Sequence, residues 1–218
     1  MKPFGYVILI ALFSLGPLLF LLKYLPNLEE SRAKEKLEEM GVVLLDSPVD
    51  IDFSGFIDHR KRPFGRKNLE GKWTFAYFGF TRCPDFCPTT MFVLGKAEQS
   101  LNKGAPEFNA DAFQGALFTI DPTRDLPEDL GPYVATFSER FVGVWSDRGI
   151  DGLSRKLDTV FEKVPLSGDG YMFDHTSNIV ILGPDARYYG YIRRPHKPEQ
   201  IAEIFKTLQP MAESKLNS

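Results

Sequence analysis

Cysteine and histidine are scarce in this chain, and several kinds of sequence pattern are missing. Two cysteines and three histidines occur in 218 residues, so at most one disulfide can form within the chain. The sequence contains no internal repeat and no low-complexity tract. The net charge of −3 gives no basic excess that would indicate binding to nucleic acid or to an acidic membrane surface. A hydrophobic fraction of 43 % is ample for a core, and we expect one globular domain with an appendage at its front.

The appendage is an uncharged, mostly apolar segment from Phe4 to Leu22. Roughly 20 residues of helix cross the hydrocarbon core of a bilayer, so this segment predicts a transmembrane helix. Lys23 to Asn27 offers no small-x-small cleavage site, which favours a retained anchor over residues 1–25 rather than a cleaved signal peptide. Lysine and arginine nearly balance across the span. A short N-terminal tail before a large domain favours a single-pass bacterial inner-membrane protein with its soluble domain in the periplasm.

The rest of the chain predicts a charged stalk helix over residues 26–41 and one α/β domain over residues 42–213. We expect strands at 42–46, 51–53, 73–80, 115–120, 141–145, 178–182 and 187–192, the first two forming a hairpin. Helices are expected at 89–102, 127–138, 151–161 and 198–211, and residues 168–170 belong to a predicted loop. Alternating strands and helices indicate an α/β fold. A first βαβ unit with cysteines at its strand–helix junction is typical of a thioredoxin-like fold.

Cys83 and Cys87 are four residues apart, after an apolar strand and on the first turn of a predicted helix. Unpaired backbone N–H groups and the helix dipole stabilise thiolates at such a place. Residues i and i+4 of a helix have Cβ atoms about 5–6 Å apart, whereas a disulfide needs about 3.5–4.5 Å. Two sulfurs that each lie about 2.3 Å from a common metal need less closure. The spacing therefore suits a metal site while leaving a redox-active disulfide open.

A third ligand would favour the metal, and the histidines are the candidates. His59 and His196 lie among basic residues, and we expect both to be solvated. His175 comes just before the apolar strand predicted at 178–182. A polar residue at the lip of a core strand is where loop sites are built. From the residues alone, a structural role for His175 stays open.

Three motifs taken together resemble those of the Sco family, also called SenC, of membrane-anchored copper proteins. The motifs are YFGFTxCPDxCP at 77–88, TIDPxRD at 119–125 and DHT at 174–176, the last followed by ILGPD at 181–185. They occur in the family's order, and the likeness covers roughly residues 42–213. The N-terminal apolar segment also fits. This combination is much more specific than a bare Cys-x-x-x-Cys.

The resemblance implies a thioredoxin-like domain that binds one copper ion, Cu(I) or Cu(II), through Cys83, Cys87 and His175. Members of the family help mature the dinuclear copper site, CuA, of cytochrome c oxidase. They deliver copper to it, reduce its cysteines, or both. The implied partner is the CuA-bearing subunit of the oxidase, with a periplasmic copper donor or thiol reductant as a further one. Two thiolates and an imidazole form a soft, low-coordinate site suited to Cu(I), and imidazole also accommodates Cu(II).

Three acidic residues are candidates for supporting the site without binding the metal. Asp121 ends the strand next to the cysteines, and we expect it to support a ligand or to act through its charge. An Asx-turn before Pro122 would account for Asp121 equally well. Asp85 and Asp174 are further candidates. Arg82 departs from many relatives, and its charge could lower the pKa of the neighbouring thiol.

A thiol–disulfide oxidoreductase without obligatory copper is the alternative function. In that function Cys83 and Cys87 are the catalytic, redox-active pair and His175 is dispensable. A peroxidase is disfavoured, because the chain lacks the threonine that peroxiredoxins place three residues before their reactive cysteine. A copper- or redox-responsive signalling module stays open. So does a zinc site with the same three ligands and a water.

Overall fold

The structure, a computed structural model, describes residues 28–103, 108–166 and 170–216. The predicted anchor over residues 1–25 lies outside these ranges and stays a prediction. Within the described ranges, no helix has the length and apolar character that crossing a bilayer requires.

A seven-stranded mixed sheet forms the centre of the domain, in the order β1-β9-β8-β3-β4-β5-β2. Its parallel part is β3, β4 and β5, and β8 runs antiparallel to β3. The strands are β1 (Val42–Asp50), β2 (Ile57–Asp58), β3 (Trp73–Gly79), β4 (Phe113–Thr119), β5 (Val142–Trp145), β8 (Ile179–Leu182) and β9 (Arg187–Ile192). Two further strands, β6 (Phe161–Pro165) and β7 (Tyr171–His175), form a separate two-stranded sheet. The helices are α1 (28–39), α2 (Arg66–Leu69), α3 (Phe86–Asn102), α4 (Pro127–Ala135), α5 (Ile150–Lys156) and α6 (Pro198–Leu216).

Strand β3 is apolar along its whole length because it is covered on both faces. All seven of its residues are buried, and β4 and β8 flank it on either side. Helix α3, which follows β3, packs against α6, while α4 packs against β5. Since β3 and β4 pair in parallel, with Gly79 opposite Thr119, their carboxyl ends meet at one edge of the sheet. The cysteine-bearing turn and the turn at Asp121 both leave from this edge.

The predicted stalk helix is present over the described residues 28–39, and one of its side chains is anchored in the domain. Leu37 is fully buried in the core, while most neighbouring side chains of the helix are exposed. Lys36 forms an ion pair with Glu203 of α6 at 2.5 Å, and Gln200 donates to the carbonyl of Met40 at 2.5 Å. This end of the helix is therefore fixed to the domain.

Several predicted boundaries were wrong. Residues 42–50 form one strand paired with β9, so the hairpin predicted from 42–46 and 51–53 does not form. The pairing of β1 is irregular between Leu44 and Val49, which accommodates Pro48 on an edge strand. Helix α3 begins at Phe86 rather than at residue 89, so Cys87 lies within it. Phe161 begins a strand and does not end a helix.

Candidate metal centre

The three predicted ligands come from two separate parts of the fold. Cys83 lies in the turn that follows β3, Cys87 is the second residue of α3, and His175 is the last residue of β7. Their ligand atoms all lie within 4.8 Å of one another. Among the described residues, this is the cluster of histidine, cysteine and acidic side chains that is compact enough to hold a metal ion.

Both cysteines are free thiols, and their environments differ. Cys87 is fully buried, while Cys83 is half-buried. The backbone N–H of Cys87 points at the Cys83 sulfur at 3.5 Å. The Cys87 sulfur lies 3.8 Å from Nε2 of His175. The cluster therefore combines a half-buried Cys83 with a fully buried Cys87 whose sulfur faces the imidazole.

The backbone fixes the tautomer of His175. Its Nδ1 lies 3.0 Å from the carbonyl oxygen of Thr176. A carbonyl oxygen can only accept a hydrogen bond, so Nδ1 carries a proton and Nε2 is the nitrogen available to a metal. The ring is held edge-on to Tyr77 at 5.8 Å and to Phe80 at 6.2 Å between centroids. The imidazole thus presents a ligating nitrogen to Cys87.

The pKa values of the two thiols are shifted in opposite directions. The pKa of Cys83 is lowered, chiefly because the Cys87 thiol donates a hydrogen bond to its thiolate; the backbone N–H groups of Asp85 and Cys87 add to this effect. The pKa of Cys87 is raised by that same hydrogen bond and by burial. The pair therefore loses its first proton from Cys83, and Cys87 holds the second.

Asp125 and Gly79 together position the cysteine turn at the ends of β3 and β4. Asp125 accepts hydrogen bonds from the backbone N–H of Thr81 at 2.8 Å and from the hydroxyls of Thr81 at 2.5 Å and Thr119 at 2.8 Å. The absence of a side chain at Gly79 makes room for Cys87, because a Cβ there would lie 2.7 Å from the Cys87 sulfur. Only glycine fits under this sulfur without displacement.

The donor set fits a soft metal ion such as copper. Thiolates select soft ions, and imidazole binds both copper oxidation states. Metal–sulfur and metal–nitrogen bonds are about 2.3 and 2.0–2.1 Å in zinc sites, so two donors on opposite sides of one ion are roughly 4.4–4.6 Å apart and three donors around it lie closer together. The three donor atoms here all lie within 4.8 Å of one another. A small contraction of the cluster would complete a three-ligand site.

The other candidates of the sequence analysis lie outside this cluster. Asp121 is buried, and its carboxylate pairs with Arg124 and Tyr171 rather than with a ligand of the site. Asp85 and Asp174 are both exposed.

The expectation that the other two histidines are solvated was wrong, since both are half-buried. Nδ1 of His59 accepts a hydrogen bond from the backbone N–H of Gly143 at 3.1 Å, and Nε2 of His196 lies 3.3 Å from the carbonyl of Ile192. Burial lowers the pKa of both imidazoles. In the described structure both imidazoles contact backbone groups and lie outside the cluster of ligand atoms.

The sequence analysis missed the β6–β7 hairpin that carries His175, and with it the contacts of Tyr171. The sequence does contain a pattern that indicates this hairpin. Two short runs that contain aromatic and aliphatic residues, 160–164 and 171–173, flank a segment with two glycines at 168 and 170. Such a pattern is typical of a hairpin with a longer turn.

A family model described as SCO1/SenC matches residues 45–209, which is most of the chain. The chain belongs to the SCO1/SenC family. This Sco chain is 30 % identical over 181 residues to a "Putative copper-binding protein" of Stutzerimonas stutzeri, covering 83 % of the chain and 86 % of that protein. It is 30 % identical over 190 residues to the mitochondrial SCO1 homolog of Mus musculus. That match covers 86 % of this chain and only 64 % of the mouse protein.

Solved Sco structures share the fold. ScoI of Bradyrhizobium japonicum with copper bound superposes with a TM-score of 0.61 at 27 % identity, covering 73 % of this chain and 96 % of that chain. BsSco, described as having a disulfide switch and as a member of the Sco family of cytochrome c oxidase assembly proteins, superposes with a TM-score of 0.54. At 18 % identity, over 75 % of this chain and 96 % of that chain, this second likeness concerns the fold alone. The predicted family and the thioredoxin-like α/β fold are confirmed.

Proposed function

We propose that this Sco chain is a copper chaperone that delivers copper to the CuA site of cytochrome c oxidase, reduces the cysteines of that site, or does both. One observation carries the proposal. The sulfurs of Cys83 and Cys87 and a nitrogen of His175 converge within 4.8 Å. The cargo is one copper ion per chain, held by these three residues.

Each ligand contributes a separate property to such a carrier. Cys83 is ready to bind near neutral pH because its pKa is lowered. Cys87 supplies a buried sulfur that excludes water from one side of the cluster. His175, with a proton fixed on Nδ1, supplies Nε2 as its donor. Because Cys83 is less buried than Cys87, an incoming thiolate of a partner would exchange with it first.

The proposed setting is the bacterial inner membrane, which the chain would cross once, with the domain in the periplasm. The uncharged segment from Phe4 to Leu22 supports an anchor. An anchor would hold the copper site close to a membrane-embedded oxidase, whose CuA-bearing subunit is the proposed partner. A periplasmic copper donor or thiol reductant would be a second partner. Protease treatment of intact spheroplasts tests this arrangement: digestion of the domain is expected, and protection until lysis would contradict it.

The test of copper binding is an anaerobic Cu(I) titration of the reduced full chain in detergent against a competing chelator. Variants Cys83→Ala, Cys87→Ala and His175→Ala are compared with wild type. His196→Ala is the matched control, because this half-buried histidine lies outside the cluster. We expect one copper per chain, weakened in the three ligand variants and unchanged in the control. Binding that does not depend on His175 would contradict the three-ligand site.

The asymmetry of the two thiols favours thiol–disulfide exchange as a second candidate function. A Cys83 thiolate attacks one sulfur of a partner disulfide, forming a mixed disulfide while the other partner sulfur leaves as a thiolate. Cys87 then gives its proton to the partner thiolate released in the first step and attacks the Cys83 sulfur. The mixed disulfide breaks, the second partner sulfur leaves as a thiolate and a Cys83–Cys87 disulfide forms, so the partner gains two electrons that the chain loses. Reduction of a CuA-type disulfide by the His175→Ala variant at the wild-type rate, without copper, would favour this function over the chaperone.

A further inference from the structure

The β6–β7 hairpin, which brings His175 to the cysteines, shares no backbone hydrogen-bonded pairing with the seven-stranded sheet in the described structure. Residues 176–178 join its His175 end directly to β8, whereas its far end at Tyr171 is held over the cysteine turn by side-chain contacts. At its centre, the ring of Phe173 packs edge-on against Phe80 at 5.5 Å. At the end of β7 farthest from His175, the contacts are made by Tyr171.

Asp121 and Arg124 hold Tyr171 from the turn that follows β4. The Tyr171 hydroxyl donates to Oδ1 of Asp121 at 2.8 Å, and Nη1 of Arg124 donates to the Tyr171 carbonyl at 3.1 Å. Nε of Arg124 donates to Oδ2 of the same carboxylate, which is 2 % exposed. Both the phenol and the backbone of Tyr171 are thereby bound to an ion pair whose carboxylate is buried and whose guanidinium is half-buried. We call these three residues the hairpin clamp.

Stacked cations add to the clamp. The guanidinium carbon of Arg124 lies 3.6 Å from the centroid of the Tyr171 ring, and the Lys163 ammonium lies 3.5 Å from it. Two groups this close to one centroid would overlap on the same face, so they occupy opposite faces of the ring. Lys163 belongs to β6, so one cation comes from within the hairpin and the other from the domain. The Tyr171 ring is thus held by the two cations as well as by the hydrogen bond of its hydroxyl.

The clamp and His175 lie on the same face of β7. Tyr171, Phe173 and His175 alternate along the strand, and residues i, i+2 and i+4 share a face. The rings of Tyr171 and Phe173 are in edge contact at 5.7 Å. The four residue steps from Tyr171 to His175 span about 13 Å. Tyr171 therefore lies away from the metal donors, on the strand that carries one of them.

We propose that Asp121, Arg124 and Tyr171 are positioning residues that set the copper affinity of the site by holding the His175 hairpin over the cysteines. The inference rests on the proposed copper site. It assigns Asp121 a role through Tyr171 instead of a direct electrostatic effect on the metal. Groups that orient metal ligands change affinity by about 10–100-fold when removed. We expect at least about a tenfold loss of Cu(I) affinity on breaking the clamp.

The test uses Tyr171→Phe in the reduced full chain in detergent, because this change removes one hydroxyl and leaves the charge of Asp121 in place. Cu(I) affinity is measured by chelator competition in the wild-type background and in the His175→Ala background, as a double-mutant cycle. Tyr189→Phe is the matched control. Its hydroxyl also donates to a carboxylate, that of Asp185, at 2.9 Å, but its ring packs on Trp73, at the opposite end of β3 from the cysteines.

A loss of about tenfold in the wild-type background, absent from the His175→Ala background and from Tyr189→Phe, would support the clamp. An equal loss in both backgrounds would overturn it, because the effect would not pass through His175. Unchanged affinity would also overturn it while leaving the proposed function intact. Failure of wild type to bind Cu(I) would overturn both proposals.

A readout without metal separates positioning from general destabilisation. In the copper-free protein, Tyr171→Phe should accelerate amide hydrogen exchange in β6 and β7 and leave exchange in β3 and β4 unchanged. Unaltered exchange in the hairpin would contradict the clamp. Exchange accelerated throughout the domain would show a folding defect and would contradict it equally.

Discussion

Replacing Gly79 by alanine should disturb Cys87 directly. A Cβ at this position would lie 2.7 Å from the Cys87 sulfur and 3.1 Å from the ring of Tyr77. Non-bonded carbon atoms rest at about 3.5–4.0 Å, so the sulfur or the strand must move by roughly 1 Å. Cys87 is fully buried and lies on the first turn of α3, so its sulfur has no open solvent to move into.

The size of the effect follows from this crowding. Overpacking of a well-packed core costs about 1–3 kcal/mol, and we expect the free energy of unfolding of Gly79→Ala to fall within that range. A displaced Cys87 sulfur would no longer lie at bonding distance from a metal ion held by the other two donors. We therefore expect Cu(I) affinity to fall by at least tenfold, which corresponds to about 1.4 kcal/mol.

The assay pairs denaturant unfolding of the copper-free protein with chelator competition for Cu(I). Gly115→Ala is the matched control, because a Cβ there would lie 2.6 Å from the Phe141 ring, in the neighbouring strand and away from the cysteines. Both variants should lose stability, and only Gly79→Ala should lose copper affinity. If both variants bound copper like wild type, the placement of Cys87 as a ligand packed on Gly79 would be refuted.

Three further predictions concern the thiols, the cysteine turn and helix α1. Folding lowers the pKa of Cys83, so the Cys83 thiolate stabilises the reduced protein fully above the ordinary thiol pKa of about 8.5, and this contribution is lost as pH falls through the lowered value. Cys83→Ser should flatten the pH dependence of the free energy of unfolding in denaturant titrations. An unchanged pH profile would contradict the lowered pKa. Asp125→Asn should cost about 1–3 kcal/mol, because the amide offers one acceptor oxygen where the carboxylate offers two to Thr81 and Thr119; thermal unfolding measures it, and a neutral result would contradict the role of this carboxylate. Leu37→Ala should cost about 2–5 kcal/mol because the side chain is fully buried, whereas a mutation that affects only a solvated helix would cost almost nothing in the same unfolding assay.

Much of the fold could be predicted because it depends on local patterns. The apolar run at 73–80 matches β3 closely, and the last strand, 187–192, matches β9 at both ends. A strand covered on both faces must be apolar throughout, so it can be recognised without its neighbours. Helix α3 begins at Phe86, three residues before the predicted start at residue 89, so Pro88 lies in its first turn. Proline is in fact well tolerated in the first turn, where its missing N–H has no partner to lose.

The sequence by itself predicted the three ligands, through the spacing of Cys83 and Cys87 and through motifs that resemble a known family. Tertiary structure alone decided how the ligands are held. Cys87 and His175 are 88 positions apart, and Tyr171 and Asp121 are 50 apart. No periodicity in the chain specifies such pairs, because they form only when the β6–β7 hairpin folds over the edge of the sheet. The approach of His175 to Cys87 and the clamp on Tyr171 both arise from that packing, whereas the tautomer of His175 depends on the carbonyl of the next residue, Thr176.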